Sequence, residues 1–116
     1  MNIKTFLWIA LSLIGLGTAG AQTTPNKNKK VEFAVGGNCG QCKARIEKAA
    51  YSVKGVKSAN WNINSGNITL IIDERKCSES DVQKAIAKVG HDAGKERADD
   101  AVYNKLHHCC LYERLP

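Results

Sequence analysis

The stretch Val31-Glu32-Phe33-Ala34-Val35-Gly36-Gly37-Asn38-Cys39-Gly40-Gln41-Cys42 decides how the rest of the chain is read. Val31, Phe33 and Val35 alternate with Glu32 and Ala34, the period of two that places every second side chain on one face of a half-buried strand. Gly36-Gly37 ends that strand. From Cys42 the period changes. Cys42, Ile46, Ala49 and Val53 recur at helical spacing, and Lys43, Arg45, Glu47 and Lys48 fill the positions between them. The spacing predicts a strand, a bent loop and an amphipathic helix closed by Gly55. Two cysteines stand at the junction of loop and helix.

Working toward the C-terminus, Val56 opens a second strand in which Ala59, Trp61 and Ile63 share a face. Asn64-Ser65-Gly66-Asn67 is a hairpin turn, and Ile68 to Ile72 returns as a third strand. Ser78 is a good N-cap with Asp81 in the capping-box position. Val82, Ala85, Ile86 and Val89 then form a second amphipathic helix that stops at Gly90. The order β-α-β-β-α needs one more strand to complete a ferredoxin-like βαββαβ sandwich, an α+β fold with an antiparallel sheet. Asp99 to Leu106 reads as an extra helical turn or two. The remaining strand candidate is Cys109-Cys110-Leu111-Tyr112-Glu113, at the end of an extended C-terminal segment covering about 92–116.

Working toward the N-terminus, Met1-Asn2-Ile3-Lys4 is basic, Phe6 to Leu16 is apolar, and Ala19-Gly20-Ala21 has the small-residue pattern of a cleavage site. This describes a signal peptide over residues 1–21. The apolar run is short against the roughly 20 residues of a membrane span, which argues against the alternative of an uncleaved anchor, and no stable membrane insertion is expected once the signal is cleaved. No cysteine follows the run closely, which argues against a lipid anchor. Residues 22–30, with Lys27, Lys29, Lys30 and several polar residues, read as a flexible linker. The domain proper is 31–116. The expected location is outside the cytoplasm, periplasmic if the source is a Gram-negative bacterium. The chain of 116 residues has room for one small domain, and its net charge of +6 is too mild and scattered to argue for nucleic acid.

Five cysteines in so small an exported chain cannot all pair within it. They are Cys39, Cys42, Cys77 and the neighbours Cys109 and Cys110. Two thiols three apart across a helix start can converge on one ion, and the free N–H groups there favour thiolate over thiol. Thiolates are soft ligands that select copper(I), mercury(II) or zinc(II) over hard cations. The same Cys-x-x-Cys spacing also serves thiol–disulfide oxidoreductases and redox sensors, and that reading is the alternative here.

The segment Gly-x-Asn-Cys-x-x-Cys at 36–42, the helix running to Gly55-Val56 and the Val89-Gly90-His91 end of the second helix resemble the heavy-metal-associated domain family. The resemblance covers Val31 to about Gly90. It implies that a soft ion is held nearly linearly between Cys39 and Cys42. The protein is expected to be exported, from its leader, and non-enzymatic, because no acid/base or nucleophile constellation is present. Copper(I) is the first choice, mercury(II) the second, and zinc(II) is compatible with the ligands. The ion is passed to another metal-binding domain or to a metal-transporting membrane protein. Two chains sharing one ion across paired loops would form a metal-bridged homodimer. There are two departures. Where the family usually has Met, this chain has Gly37, which implies a looser loop or one packed by another residue. About seventeen residues separate the second helix from Cys109, where the family passes directly into its last strand.

In such a sheet the last strand lies antiparallel beside the first, which brings His107-His108-Cys109-Cys110 to the metal end, with one of the two cysteines inward and the other outward. Three readings stay open: a buried structural cysteine with surface histidines, extra ligands or a second site, and a disulfide to Cys39 or Cys42. His91 lies at the loop that in the family approaches the metal, and reads either as a third ligand or as a surface histidine. Cys77 falls at the opposite end and reads as structural or as available to another chain. Lys43, Arg45 and Lys48 read as a solvated face or as a positive docking face that also favours thiolate.

Overall fold

The computed structural model describes residues 24–114. The expected signal peptide lies outside them. Strand β1 spans Lys29–Ala34, helix α1 Gly40–Tyr51, strand β2 Val56–Trp61, strand β3 Asn67–Ile72 and helix α2 Glu79–Lys88. Helix α3, Asp100–Asn104, and a 3-10 turn at His108–Cys110 follow. The sheet is antiparallel in the order β1-β3-β2. Val31, Phe33 and Val35 are buried with Ala59, Trp61, Ile68, Leu70 and Ile72, against Ile46, Ala49 and Ala50 of α1 and Val82 and Ile86 of α2. Each such large apolar side chain stabilises the fold by about 1.5–3 kcal/mol on burial. Among the described residues, no helix is long and apolar enough to cross a membrane.

Two local expectations hold atom by atom. Ser78 caps α2 in a reciprocal capping box with Asp81, and Gly90, at φ +107°, turns the chain out of that helix. Three others are corrected. Helix α1 ends at Tyr51 with Ser52 as its C-cap, so Gly55, also at φ +107°, shapes the turn into β2 rather than closing the helix. Strand β2 stops at Trp61, and Ile63 is exposed. Strand β1 begins at Lys29, two residues inside the segment read as linker.

The fourth strand is the largest correction. Among the described residues the sheet has three strands, and the outer edge of β1 is met near its end by a short stub. Val35 bridges Ala93, while Gly36 N donates to Asp92 O at 2.8 Å and Gly94 N to Ala34 O at 2.8 Å. The stub cannot extend, because Ala93 and Glu96 close on each other in a turn through Gly94, at φ +54°. Nor is Cys109–Glu113 a strand. Cys110 N donates to His107 O at 2.7 Å and Tyr112 N to Cys110 O at 2.8 Å, so these amides are satisfied locally and unavailable to a ladder.

The C-terminal segment is nevertheless firmly anchored. The Tyr112 hydroxyl accepts from Asp92 N at 2.7 Å and donates to Gly90 O at 3.0 Å. Arg114 donates to both carboxylate oxygens of Asp92, to Asp100 at 2.7 Å and to Ala98 O at 2.6 Å. Its guanidinium also lies 4.6 Å from the centre of the Tyr103 ring. A forked Arg–carboxylate pair of this kind fixes orientation as well as distance.

Candidate metal centre

The loop after β1 delivers Cys39 as the N-cap of α1 in extended backbone, φ −150° and ψ 174°, with Cys42 on the first turn. Their sulfurs lie 3.3 Å apart, well outside the roughly 2.05 Å of a disulfide. The helix that carries them is pinned to the sheet by one carboxylate. Glu47 Oε2 accepts from Trp61 N at 2.8 Å and from Lys43 Nζ at 2.7 Å. Lys43 also donates to Asn60 and to Trp61 O, both at 2.8 Å. Lys43 therefore belongs to the scaffold rather than to a free docking face.

Trp61 resolves the Gly37 departure. A Cβ at Gly37 would stand 3.0 Å from two atoms of the indole and 3.1 Å from Cys42 Cβ, so the ring fills the space a side chain there would need. Its Nε1 donates to Val35 O and Gly66 O, at 3.2 and 3.1 Å. The loop is thus packed by a residue from β2. On the outer side nothing lies within 4 Å of a Cβ placed at Gly40, which leaves the head of α1 open to solvent.

The C-terminal turn meets this loop. Cys110 Sγ is 3.3 Å and Cys109 Sγ 3.4 Å from Cys39 Sγ, and the two neighbours are 3.8 Å from each other. The sulfurs of Cys39, Cys42 and Cys110 all lie within 4.8 Å of one another. Cys42 and Cys110 are buried, while Cys39 and Cys109 are partly exposed. Cys42 also donates to Asn38 Oδ1 at 3.4 Å, and Cys109 lies 3.2 Å from His107 Nδ1 and 3.5 Å from Gln41 Oε1. The expected inward and outward split between the adjacent cysteines is present, but a 3-10 turn produces it rather than a strand.

The thiols differ in acidity. Burial works against a charge on Cys39, but the Cys42 amide at the head of α1 and the thiols of Cys110, Cys42 and Cys109 favour its anion and bring it down to about 6. Burial, together with Cys110, pushes Cys42 up to about 12. Donation to Cys39 pushes Cys109 up to about 11. At neutral pH the charge therefore resides on Cys39, with Cys42 and Cys109 protonated beside it.

His91 is not a surface histidine. It is fully buried and stacks on Tyr112, ring centres 5.5 Å apart. Its Nδ1 is 2.7 Å from Gly36 O. A carbonyl only accepts, so Nδ1 carries the proton and Nε2 is a bare acceptor, buried with no partner among the described residues. Burial holds the imidazole below its ordinary value against the pull of the Gly36 carbonyl, with Arg45 adding to the depression. The residue braces the loop from beneath and is not among the three whose ligand atoms converge. Cys77 is buried after β3, whose end pairs with the start of β1, and so lies at the far end from the loop. The signal that sequence reasoning underused was Tyr112, whose ring would collide with any Cβ at Gly36 and so seats the C-terminal segment directly on the loop.

An open-faced βαββα frame carrying a cysteine pair at the head of its first helix defines a class of small metal-handling domains, and known proteins share it. Residues 32–92 match the sequence model of the heavy-metal-associated domain. The copper chaperone CopZ of Staphylococcus aureus is 35% identical over 57 residues, covering 49% of this chain and 84% of that protein. A solved CopZ metallochaperone superposes with a TM-score of 0.54 at 32% identity, over 56% of this chain and 98% of its own. Oxidized MerP from Ralstonia metallidurans CH34 gives 0.56 at 25% identity, over 58% and 94%. The N-terminal domain of a potential copper-translocating P-type ATPase from Bacillus subtilis, in its Cu(I)-loaded state, gives 0.55 at 29%, over 65% and 95%. The chain belongs to the heavy-metal-associated domain family. The family match ends at Asp92, before Cys109 and Cys110.

Proposed function

We propose that this protein is an exported carrier of a soft metal ion, copper(I) first and mercury(II) second, which it binds through Cys39 and Cys42. The observation that carries the reading is the 3.3 Å approach of the two sulfurs at the open head of α1. The lowered pKa of Cys39 supports it, since the thiolate is the species that ligates. The likeness to a copper chaperone and to a copper-loaded transporter domain supports copper as cargo and a metal-transporting membrane protein, or another metal-binding domain, as partner. The likeness to MerP supports mercury. Residues 1–21 act as the signal peptide, and in a Gram-negative source the carrier works in the periplasm.

Transfer proceeds by ligand exchange. A partner thiolate bonds to the ion first, and one carrier sulfur then leaves and recovers a proton. The ion is never free, and its oxidation state does not change.

Titration of the reduced mature protein with Cu(I) against a chromophoric chelator tests the proposal. Stoichiometric binding lost in Cys39→Ser and in Cys42→Ser supports it. Turnover of insulin disulfides without metal affinity overturns it in favour of an oxidoreductase.

A further inference from the structure

Resting on that reading of Cys39 and Cys42, we propose that Cys110 is a third resident thiolate, which turns the pair into a trigonal three-sulfur site that retains its ion rather than merely relaying it. With a metal–sulfur distance of about 2.3 Å, two sulfurs binding linearly stand about 4.6 Å apart, and three binding in a trigonal plane about 4.0 Å apart. Cys39 is 3.3 Å from both Cys42 and Cys110, and all three sulfurs lie within 4.8 Å of one another. A linear ion would have to drive Cys39 and Cys42 apart by more than an ångström. A trigonal ion asks Cys39 to part from each of the other two by about 0.7 Å, roughly half as far.

The third sulfur is also preorganised. Cys110 is fully buried, and its turn is closed by the His107 carbonyl. Immediately beyond it, Tyr112 is tied to Gly90 and Asp92. Arg114, only a tenth exposed, is forked onto the same aspartate. Little ordering remains to be done when an ion arrives, which is the condition under which an added ligand raises affinity. Cys110 comes from a segment outside the family match, so the third ligand lies beyond what the family model covers. Three soft donors in a trigonal plane suit a d10 cation such as Cu(I) or Hg(II).

The added ligand changes what the carrier does. In exchange from a two-sulfur site, the incoming thiolate takes the vacant third position. Here Cys110 occupies that position from the buried side, so a partner must displace a sulfur that the fold holds in place. The partly exposed Cys109, 3.4 Å from Cys39, lies on the outer side of the triad and is not a resident ligand. The protein then acts as a sink that releases its ion slowly.

The test is X-ray absorption on the reduced mature protein loaded with one equivalent of Cu(I), paired with chelator competition. Three sulfurs are expected in the wild type and in Cys109→Ser, and two in Cys110→Ser. The chelator should extract the ion from Cys110→Ser at least tenfold faster than from the wild type. The wild-type count stands whether or not the variants fold. Two or four sulfurs in the wild type, or three sulfurs retained in Cys110→Ser, overturns the inference. If Cys110 changes nothing while Cys39→Ser abolishes binding, the carrier survives and the third ligand falls. If Cys39→Ser binds as the wild type does, the carrier reading itself fails.

Discussion

Cys110 Sγ lies 3.3 Å from Cys39 Sγ, across 71 residues of sequence. That approach joins the last turn of the C-terminal segment to the head of the first helix and, after the Cys42 amide, helps bring the loop thiol down. The consequences of these contacts can be measured in the reduced, metal-free protein.

Cys39 should be the most reactive thiol near neutrality. Its alkylation by iodoacetamide, followed by mass spectrometry of the reduced protein, should rise with an inflection near pH 6, set by the value of about 6. The Cys110 thiol is one of the groups favouring the anion, so Cys110→Ala should move the inflection upward. An inflection near the ordinary thiol value in the wild type would contradict this account.

Acid should weaken the fold through His91. Its folded value is depressed by burial, so between pH 7 and pH 5 the unfolded chain takes up the proton that the folded one refuses. Stability is therefore fully present above the unfolded value and declines as the pH falls through it. His91→Phe removes the bond to Gly36 O, at a cost of about 1–3 kcal/mol. Denaturant unfolding at both pH values should show that variant to be weaker at pH 7 and flatter in its response to acid.

Gly37 and Trp61 should be energetically coupled. The indole occupies the space beside Gly37, so Gly37→Met overpacks it and should cost about 1–3 kcal/mol. In Trp61→Leu, itself destabilised by a cavity, the same Met should cost at least about 1 kcal/mol less. A double-mutant cycle by equilibrium unfolding reads the difference directly, and additive effects would refute the pairing.

Tyr112→Phe should loosen the C-terminal segment while leaving the sheet intact. The substitution removes the hydroxyl that bridges Asp92 N and Gly90 O, a loss of about 1–3 kcal/mol if both groups stay buried. Amide exchange should accelerate at Asp92 and Cys110 and stay unchanged at Leu70. The same loosening should raise the Cys39 alkylation inflection, because Cys110 would no longer be held beside it.

Much of the frame was legible from local pattern. The alternation of Val31, Phe33 and Val35 set β1, and Ser78 with Asp81 set the start of α2, because strand period and capping chemistry act over a few residues. The fourth strand was not legible. Cys109–Glu113 looks apolar enough for a strand, but whether its amides join a ladder or close on His107 O and Cys110 O depends on where Tyr112 and Arg114 are anchored. Ile63 failed for a related reason: its phase was right, but the strand ends before it.

By itself, then, the sequence determined the chemistry: two cysteines at a helix start, the amphipathic elements around them, and a second cysteine pair expected at the same end with its role left open. Tertiary structure alone decided that both Cys109 and Cys110 reach Cys39 and that Cys110 is the buried one of the two, that Trp61 packs the loop and that His91 braces it from below. Pattern arises from forces between residues near in sequence. Which sulfur faces another from 71 residues away is settled only when the whole C-terminal segment folds back and is anchored.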